Sequence, residues 1–291
     1  MLLRILAADG GMSIPNSRLL SKLQHIAERA GFTSYGVAFF DYETTLSFSF
    51  RGNQSFHAAS TIKAVFLYSV FRAVEEGLCR LDDPLHVRNR FTSVADGSKF
   101  RLDAARDGDS AVYKRIGRTM TVEQLARSMI VTSSNLATNI LFEFLGADFI
   151  ARTAAELGTT EIRAVRAVED HKAHEAGMNN EITADALLRL FRDFAEEKRL
   201  RPDHARKALE ILLAQEFNAM IPARLPDEAR VAHKTGEIST CAHDAGIVFL
   251  PDRKPYVLAI LTEMPPETKV RSRHVAAMAK AVHDYLVSSH E

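Results

Sequence analysis

Three short groups of residues have side-chain types and spacings that allow chemistry. Ser60-Thr61-Ile62-Lys63 sets a hydroxyl and an amine three residues apart, so that on a helix the two share a face. A serine is a weak nucleophile until a neighbour takes its proton. A lysine can do that only where burial or a second cation destabilises its ammonium form. A helix opening at Ser60 also turns its free N–H groups and the positive end of its dipole toward an oxyanion formed there. Ser133-Ser134-Asn135 lies where one helical pattern gives way to the next, and Lys234-Thr235-Gly236 ends a strand-like run. Each group alone has a plainer reading. The first can be a helix cap followed by a lysine that snorkels to solvent. The second can be an ordinary N-cap, and the third a polar strand edge entering a turn.

The elements that must position these groups are readable from periodicity. Asn16 or Ser17 can cap a first helix, with Leu19, Leu20, Leu23, Ile26, Ala27 and Ala30 on one face and Gly31 at its end. Strands are expected over Tyr35–Phe40 and Thr45–Phe50, with a hairpin turn at Asp41–Thr44. The apolar run Ala64–Phe71 makes the helix after Ser60 a buried one. Residues 84–117 are polar and irregular, with a turn at Asp96-Gly97-Ser98. Thr121 and Gln124 have capping-box spacing, and helices follow over Ser134–Gly146, Asp148–Gly158, from Thr183, and after Pro202. Residues 159–182 form a long polar excursion. Strands at Arg230–His233, Ala245–Leu250 and Tyr256–Thr262 precede a closing helix at Val270–Val287. Strands at both ends of the chain thus enclose a helical middle. The expected fold is α/β of the α+β type: one antiparallel sheet with terminal helices on it and an inserted all-helical subdomain. The expected division is 13–58 with 222–291 for the sheet and 59–221 for the helices, with the active site in the cleft between them.

Composition narrows the classes. The chain has 291 residues, 46% hydrophobic and 25% charged, with 37 basic and 37 acidic residues. That is a globular balance with no basic excess to draw nucleic acid. No apolar run is long enough to span a bilayer. Cys79 and Cys241 match no metal spacing and read as two free thiols. His171-Lys172-Ala173-His174-Glu175 imitates a metal cluster, but two histidines three apart need a helix to converge, and the zinc motifs have other spacings. His57, just ahead of Ser60, reads as structural or as lining the cleft. The opening MLLRILAADGGM is broken by Arg4 and Asp9 and makes a poor export signal.

Order, spacing and context of the three groups together resemble the class A β-lactamase-type active-site serine hydrolases, within the serine β-lactamase and penicillin-binding protein superfamily. The resemblance runs from the first helix to the last. It implies that Ser60 is acylated and that Lys63 takes part in proton transfer. It implies that Ser133 passes a proton to the departing lactam nitrogen and that Asn135 binds the substrate's side-chain amide. Lys234 and Thr235 would hold its carboxylate, and Gly236 would let the strand pass close. The N–H groups of Ser60 and Glu237 would form the oxyanion hole, worth ~3 kcal/mol per donor in the transition state. Lys234 would supply the second cation that keeps Lys63 a neutral amine. The implied activity is β-lactam opening through an acyl-enzyme, the basis of antibiotic resistance, with no metal and no cofactor. The implied partner is a small molecule, a β-lactam or a D-Ala-D-Ala-like peptide, on a monomer. The family's compartment is periplasmic or secreted.

The resemblance frays at two places. Class A enzymes carry Arg-x-Glu-Pro with an Asn four residues after the Glu, which activates the deacylating water. This chain has Arg166-Ala-Val-Glu169-Asp170, with Ala173 where that Asn would stand. Glu169 is the candidate base, with Asp170 and Glu175 as rivals, and all three can also be solvated loop carboxylates. After Lys-Thr-Gly the run His243-Asp244-Ala245-Gly246 lacks the arginine that many class A enzymes use on the substrate carboxylate, and Arg271 or Arg273 could substitute. Phe91 and Phe100 either line the entrance or belong to the core. The alternatives on the same scaffold are a D,D-peptidase or esterase, and a receptor that stays acylated.

Overall fold

The computed structural model describes residues 14–288. In chain order the elements are α1 (Ile14–Ala30), β1 (Ser34–Asp41), β2 (Ser47–Phe50), β3 (Phe56–His57), α2 (Ile62–Glu75), β4 (Pro84–His86), β5 (Phe91–Thr92), β6 (Lys99–Phe100), α3 (Ser110–Tyr113), β7 (Thr119–Thr121), α4 (Val122–Val131) and α5 (Asn135–Leu145). Then come α6 (Ala147–Glu156), α7 (His171–Glu175), β8 (Glu181–Ile182), α8 (Ala184–Glu196), α9 (Pro202–Leu213), β9 (Arg230–Ile238), β10 (Cys241–Leu250), β11 (Arg253–Glu263) and α10 (Arg271–Ser288). The chain folds as two units. One takes the chain up to Thr61, Thr183–Arg192 and everything from Phe217; the other takes Ile62–Ile182 and Asp193–Glu216.

The first unit is built on a five-stranded antiparallel sheet in the order β2-β1-β11-β10-β9. Val37 pairs with Ile260 and Lys234 with Ala245, so the two ends of the chain meet in one sheet. β11 is buried from Tyr256 to Thr262, as a strand covered on both faces must be. Leu19, Leu23 and Ala27 of α1 and Val275, Met278 and Val282 of α10 share one core with Phe39, Phe48 and Leu258 of the sheet. Phe39 and Phe48 stack with ring centres 5.2 Å apart.

The second unit is organised around α2. Every residue from Ile62 to Phe71 is buried, the signature of a central helix rather than a surface one. It packs against α4, α5, α6 and α9, with Phe66 against Phe142 at 5.5 Å. The Tyr68 hydroxyl donates to Asp193 at 2.6 Å. This unit is not purely helical as expected. β4 pairs with β7, and β5 with β6 as a small hairpin turning at 93–98.

Three boundaries differ from the sequence reading, each for a local reason. α1 is already helical at Ile14, ahead of the expected caps. Ser60 lies in a 3-10 turn, Ala59–Thr61, which runs straight into α2. β9 continues to Ile238 because its ladder with β10 extends through Glu237 opposite Ala242 and Ile238 opposite Cys241. The Lys-Thr-Gly group therefore lies inside the strand, although its polarity imitates a turn.

Candidate active site

In the first unit, the turn carrying Ser60 is held by two bonds to the Ala58 carbonyl, from the Thr61 N–H and the Thr61 hydroxyl. Ala59 has φ +44°, a left-handed conformation that costs a residue with a Cβ ~1–2 kcal/mol. β9 passes directly against this turn: a Cβ on Gly236 would lie 2.9 Å from the nitrogens of both Ser60 and Thr61. Glycine is required there by contact, not by φ.

Beside Gly236, Lys234 is wholly buried and its Nζ donates to the Thr235 carbonyl at 2.9 Å. Burial pushes its ammonium down to about 7, and the negative charge of Asp244 acts in the opposite direction. Asp244 is itself buried; it accepts from the Ile221 N–H at 2.9 Å and faces His233 Nδ1 at 2.9 and 3.1 Å. Glu237 reaches Arg271 at 3.2 Å, and Arg271 also donates to the Thr268 carbonyl. Of the two substitutes for the missing arginine, Arg271 thus stands beside β9, whereas Arg273 is exposed. The His57 backbone carbonyl accepts from His243 Nε2 at 2.9 Å, while the Thr262 N–H donates to His243 Nδ1 at 3.0 Å. That pattern fixes a neutral imidazole, and burial holds its pKa down at about 4.

In the second unit, Lys63 is wholly buried and its Nζ donates to the Ser133 carbonyl at 2.7 Å, to Ser133 Oγ at 3.1 Å and to Asn135 Oδ1 at 2.7 Å. The Ser133 hydroxyl can both donate and accept, so the contact between Lys63 and Ser133 Oγ is one through which a proton can pass. The other end of the same amide, Asn135 Nδ2, donates to Glu169 Oε1 at 2.7 Å. One asparagine thus joins the lysine to the candidate base.

Ser133 and Glu169 both sit in the left-handed region, at φ +57° and +59°. Such conformations persist where the surroundings over-determine them, and here they do. Around Ser133, the Thr132 hydroxyl donates to Asp109 at 3.0 Å, the Ser134 N–H to the Ser128 carbonyl at 3.0 Å, and the Leu136 N–H to Asp107 at 2.8 Å. Beside Glu169, Asn139 clasps the Val168 backbone with both ends of its amide, at 2.8 and 2.9 Å.

The rival bases part company. Asp170 is 1% exposed and both its oxygens accept from Ser93, Val94 and Ala173, so burial and these donors keep it from acting on a water. Glu175 is exposed on the five-residue α7. Phe91 is core, 1% exposed and 5.8 Å from Phe100. Among the described residues no group of three or more His, Cys, Asp or Glu is placed to hold a metal ion, and no helix is long and apolar enough to cross a membrane. Cys79 and Cys241 are free and buried.

Sequence reasoning passed over Asn139, Asp107 and Asp109. Asn139 left a signal: with Thr138 it breaks the apolar stretch Leu136–Phe142, and it lies four positions after Asn135 and so on the same face of α5. The two aspartates left none, being acids in an acid-rich loop.

The Beta-lactamase enzyme family model matches residues 18–286. A β-lactamase from Bacteroides uniformis is 30% identical over 185 residues, covering 57% of this chain and 60% of that protein. One from Streptomyces albus G is 25% identical over 282 residues, covering 95% of this chain and 88% of that protein. Among solved structures, a mutant of PBP-A in an acyl-enzyme complex with penicillin G superposes with a TM-score of 0.78 at 25% identity, covering 94% of this chain and 97% of that one.

Proposed function

The chain belongs to the beta-lactamase enzyme family and is a β-lactam hydrolase of the serine type, and from that membership we propose that Ser60 opens the lactam ring as its nucleophile and that Glu169 drives release of the acyl group. Ser60 Oγ attacks the lactam carbonyl while its proton passes into the Lys63–Ser133 pair. The N–H groups of Ser60 and Glu237 receive the oxyanion. Collapse breaks the carbon–nitrogen bond, and Ser133 gives its proton to the nitrogen. Lys234 and Thr235 bind the substrate carboxylate, with Arg271 adding charge, and Asn135 binds the side-chain amide. Glu169 then takes a proton from water, and the water oxygen attacks the ester.

The observation that carries this reading is the bridge Lys63–Asn135–Glu169, both arms at 2.7 Å. It ties the group that handles the first proton to the one suited to the second. A β-lactamase needs both halves, whereas an acyl-trapping protein needs only the first. The test is steady-state turnover of a chromogenic cephalosporin together with the intact mass after penicillin G. The wild type turns over and leaves little adduct. Ser60→Ala does neither, and Glu169→Gln acylates and keeps the adduct. A wild type that holds a stable adduct without turnover points instead to the D,D-peptidase or esterase reading; the PBP-A mutant to which this chain is similar is itself seen as an acyl-enzyme with penicillin G.

A further inference from the structure

The partners that remove Asp170 from the choice of base lie far from it in the chain. Its carboxylate accepts from Ser93 Oγ at 2.7 Å and from the Val94 N–H at 3.0 Å. Ser93 is itself 2% exposed, so this is a built-in anchor and not a surface contact. Two residues on, the Lys172 ammonium donates to Asp96 at 2.7 Å and to Ser98 Oγ at 2.9 Å. The tip of the β5–β6 hairpin therefore grips both ends of the Asp170–Lys172 step. The hairpin is fixed in turn to α5, where Glu143 accepts from the Thr92 N–H at 3.3 Å and from Arg88 at 2.8 Å.

Glu169 sits between two such anchorages. On one side Asn139 of α5 clasps Val168; on the other the hairpin holds Asp170. Between them the backbone takes φ +59°, which a residue with a Cβ adopts only under constraint.

We propose that the β5–β6 hairpin belongs to the hydrolytic half of the reaction: through Ser93 and Asp170, acting as positioning residues, it fixes the Glu169 carboxylate for attack of water on the acyl-enzyme. The inference rests on Glu169 being the base. In the step it serves, Glu169 takes one proton from water and the oxygen bonds to the ester carbon. The bond to Ser60 Oγ then breaks, and that oxygen regains a proton. Acylation does not pass through Glu169 in this scheme, so a loosened hairpin slows only the second half. A misplacement of about 1 Å costs on the order of a hundredfold in rate.

The experiment separates the halves by pre-steady-state kinetics on a chromogenic cephalosporin, with intact mass after penicillin G. Ser93→Ala lowers kcat about tenfold, leaves kcat/KM, which reports acylation, within about twofold, and makes the penicilloyl adduct accumulate. Ser93→Thr, which keeps the hydroxyl, restores release. Asp170→Asn is the stronger variant, at about a hundredfold; should it fail to fold, Lys172→Ala joins Ser93→Ala as the deciding pair. A loss of fold would lower kcat and kcat/KM together, which the split excludes. If Glu169→Gln traps the adduct while the hairpin variants release it at the wild-type rate, the hairpin has no such part and the inference falls alone. If Glu169→Gln itself turns over normally, the base is another group, and both readings fall.

Discussion

In the proposed reaction Lys234 is a wholly buried cation that meets the substrate carboxylate. Its pKa of about 7 is set by burial against the pull of Asp244, so it loses its charge just above neutrality. kcat/KM for a carboxylate-bearing lactam should therefore fall as pH rises through about 7. In kcat the same limb should lie higher, because a bound carboxylate favours the ammonium. A pH–rate profile flat to pH 9 would show that Lys234 does not hold the carboxylate. Folding has the opposite sign: between about 7 and the ordinary lysine value the unfolded chain binds the extra proton, so this group adds stability as pH rises through that window. Asn135 offers a second test. Its amide serves Lys63 with the oxygen and Glu169 with the nitrogen. Asn135→Ala should lower acylation and release together, each by about ten- to a hundredfold, whereas Glu169→Gln lowers release alone. The resemblance assigned Asn135 to the substrate; its bridging role needed coordinates, because no spacing rule joins residue 135 to residue 169.

β9 shows how an element turns sequence into geometry. Its ladder carries Lys234, Thr235 and Glu237 past the Ser60 turn at a separation that excludes a single methyl group. Gly236→Ala should cost about 1–3 kcal/mol through displaced backbone and lower the acylation rate about tenfold or more, read as kcat/KM against thermal stability. Unchanged kcat/KM would mean that the turn yields freely. The strand pattern, the buried α2 and the capping box at Thr121 were legible because period and caps are local. The candidate site was legible as far as its three groups, whose residue types are chemically unusual where they stand. The extension of β9 was not, since a sheet edge tolerates the same polar residues as a turn. The clasp of Asn139 on Val168 and the carboxylates around Ser133 were not legible either, since they are contacts between loops whose composition is ordinary.

At the scale of the whole molecule, the chain crosses between its two units at Thr61, Ile182, Arg192 and Glu216, and α8 contributes residues to both. Neither unit can be melted without breaking a continuous helix, so one cooperative transition is expected. The two thiols can report on it. Cys79 belongs to the helical unit and Cys241 to the sheet unit; both are buried, and burial pushes their pKa values up to about 11 and about 12. Neither should react with a thiol reagent at neutral pH until unfolding, and both should then become labelled at one denaturant midpoint. Two midpoints would mark two independent folding units. Acid acts through His243: with its folded pKa at about 4, below the ordinary imidazole value, the unfolded chain binds the extra proton between the two, so stability falls as pH drops through that window. The pairing of Val37 with Ile260 has a further consequence for synthesis. A ribosome delivers β1 and β2 first and β11 near the end, so the helical segments can be complete while the sheet still lacks its middle strand. The aromatic face of Phe39 and Phe48 waits uncovered through most of translation, and a nascent chain in that condition is a client for holding factors and a hazard for aggregation. Any message truncated before β11 yields a polypeptide whose β1–β2 pair has no strand to join it to β10 and β9.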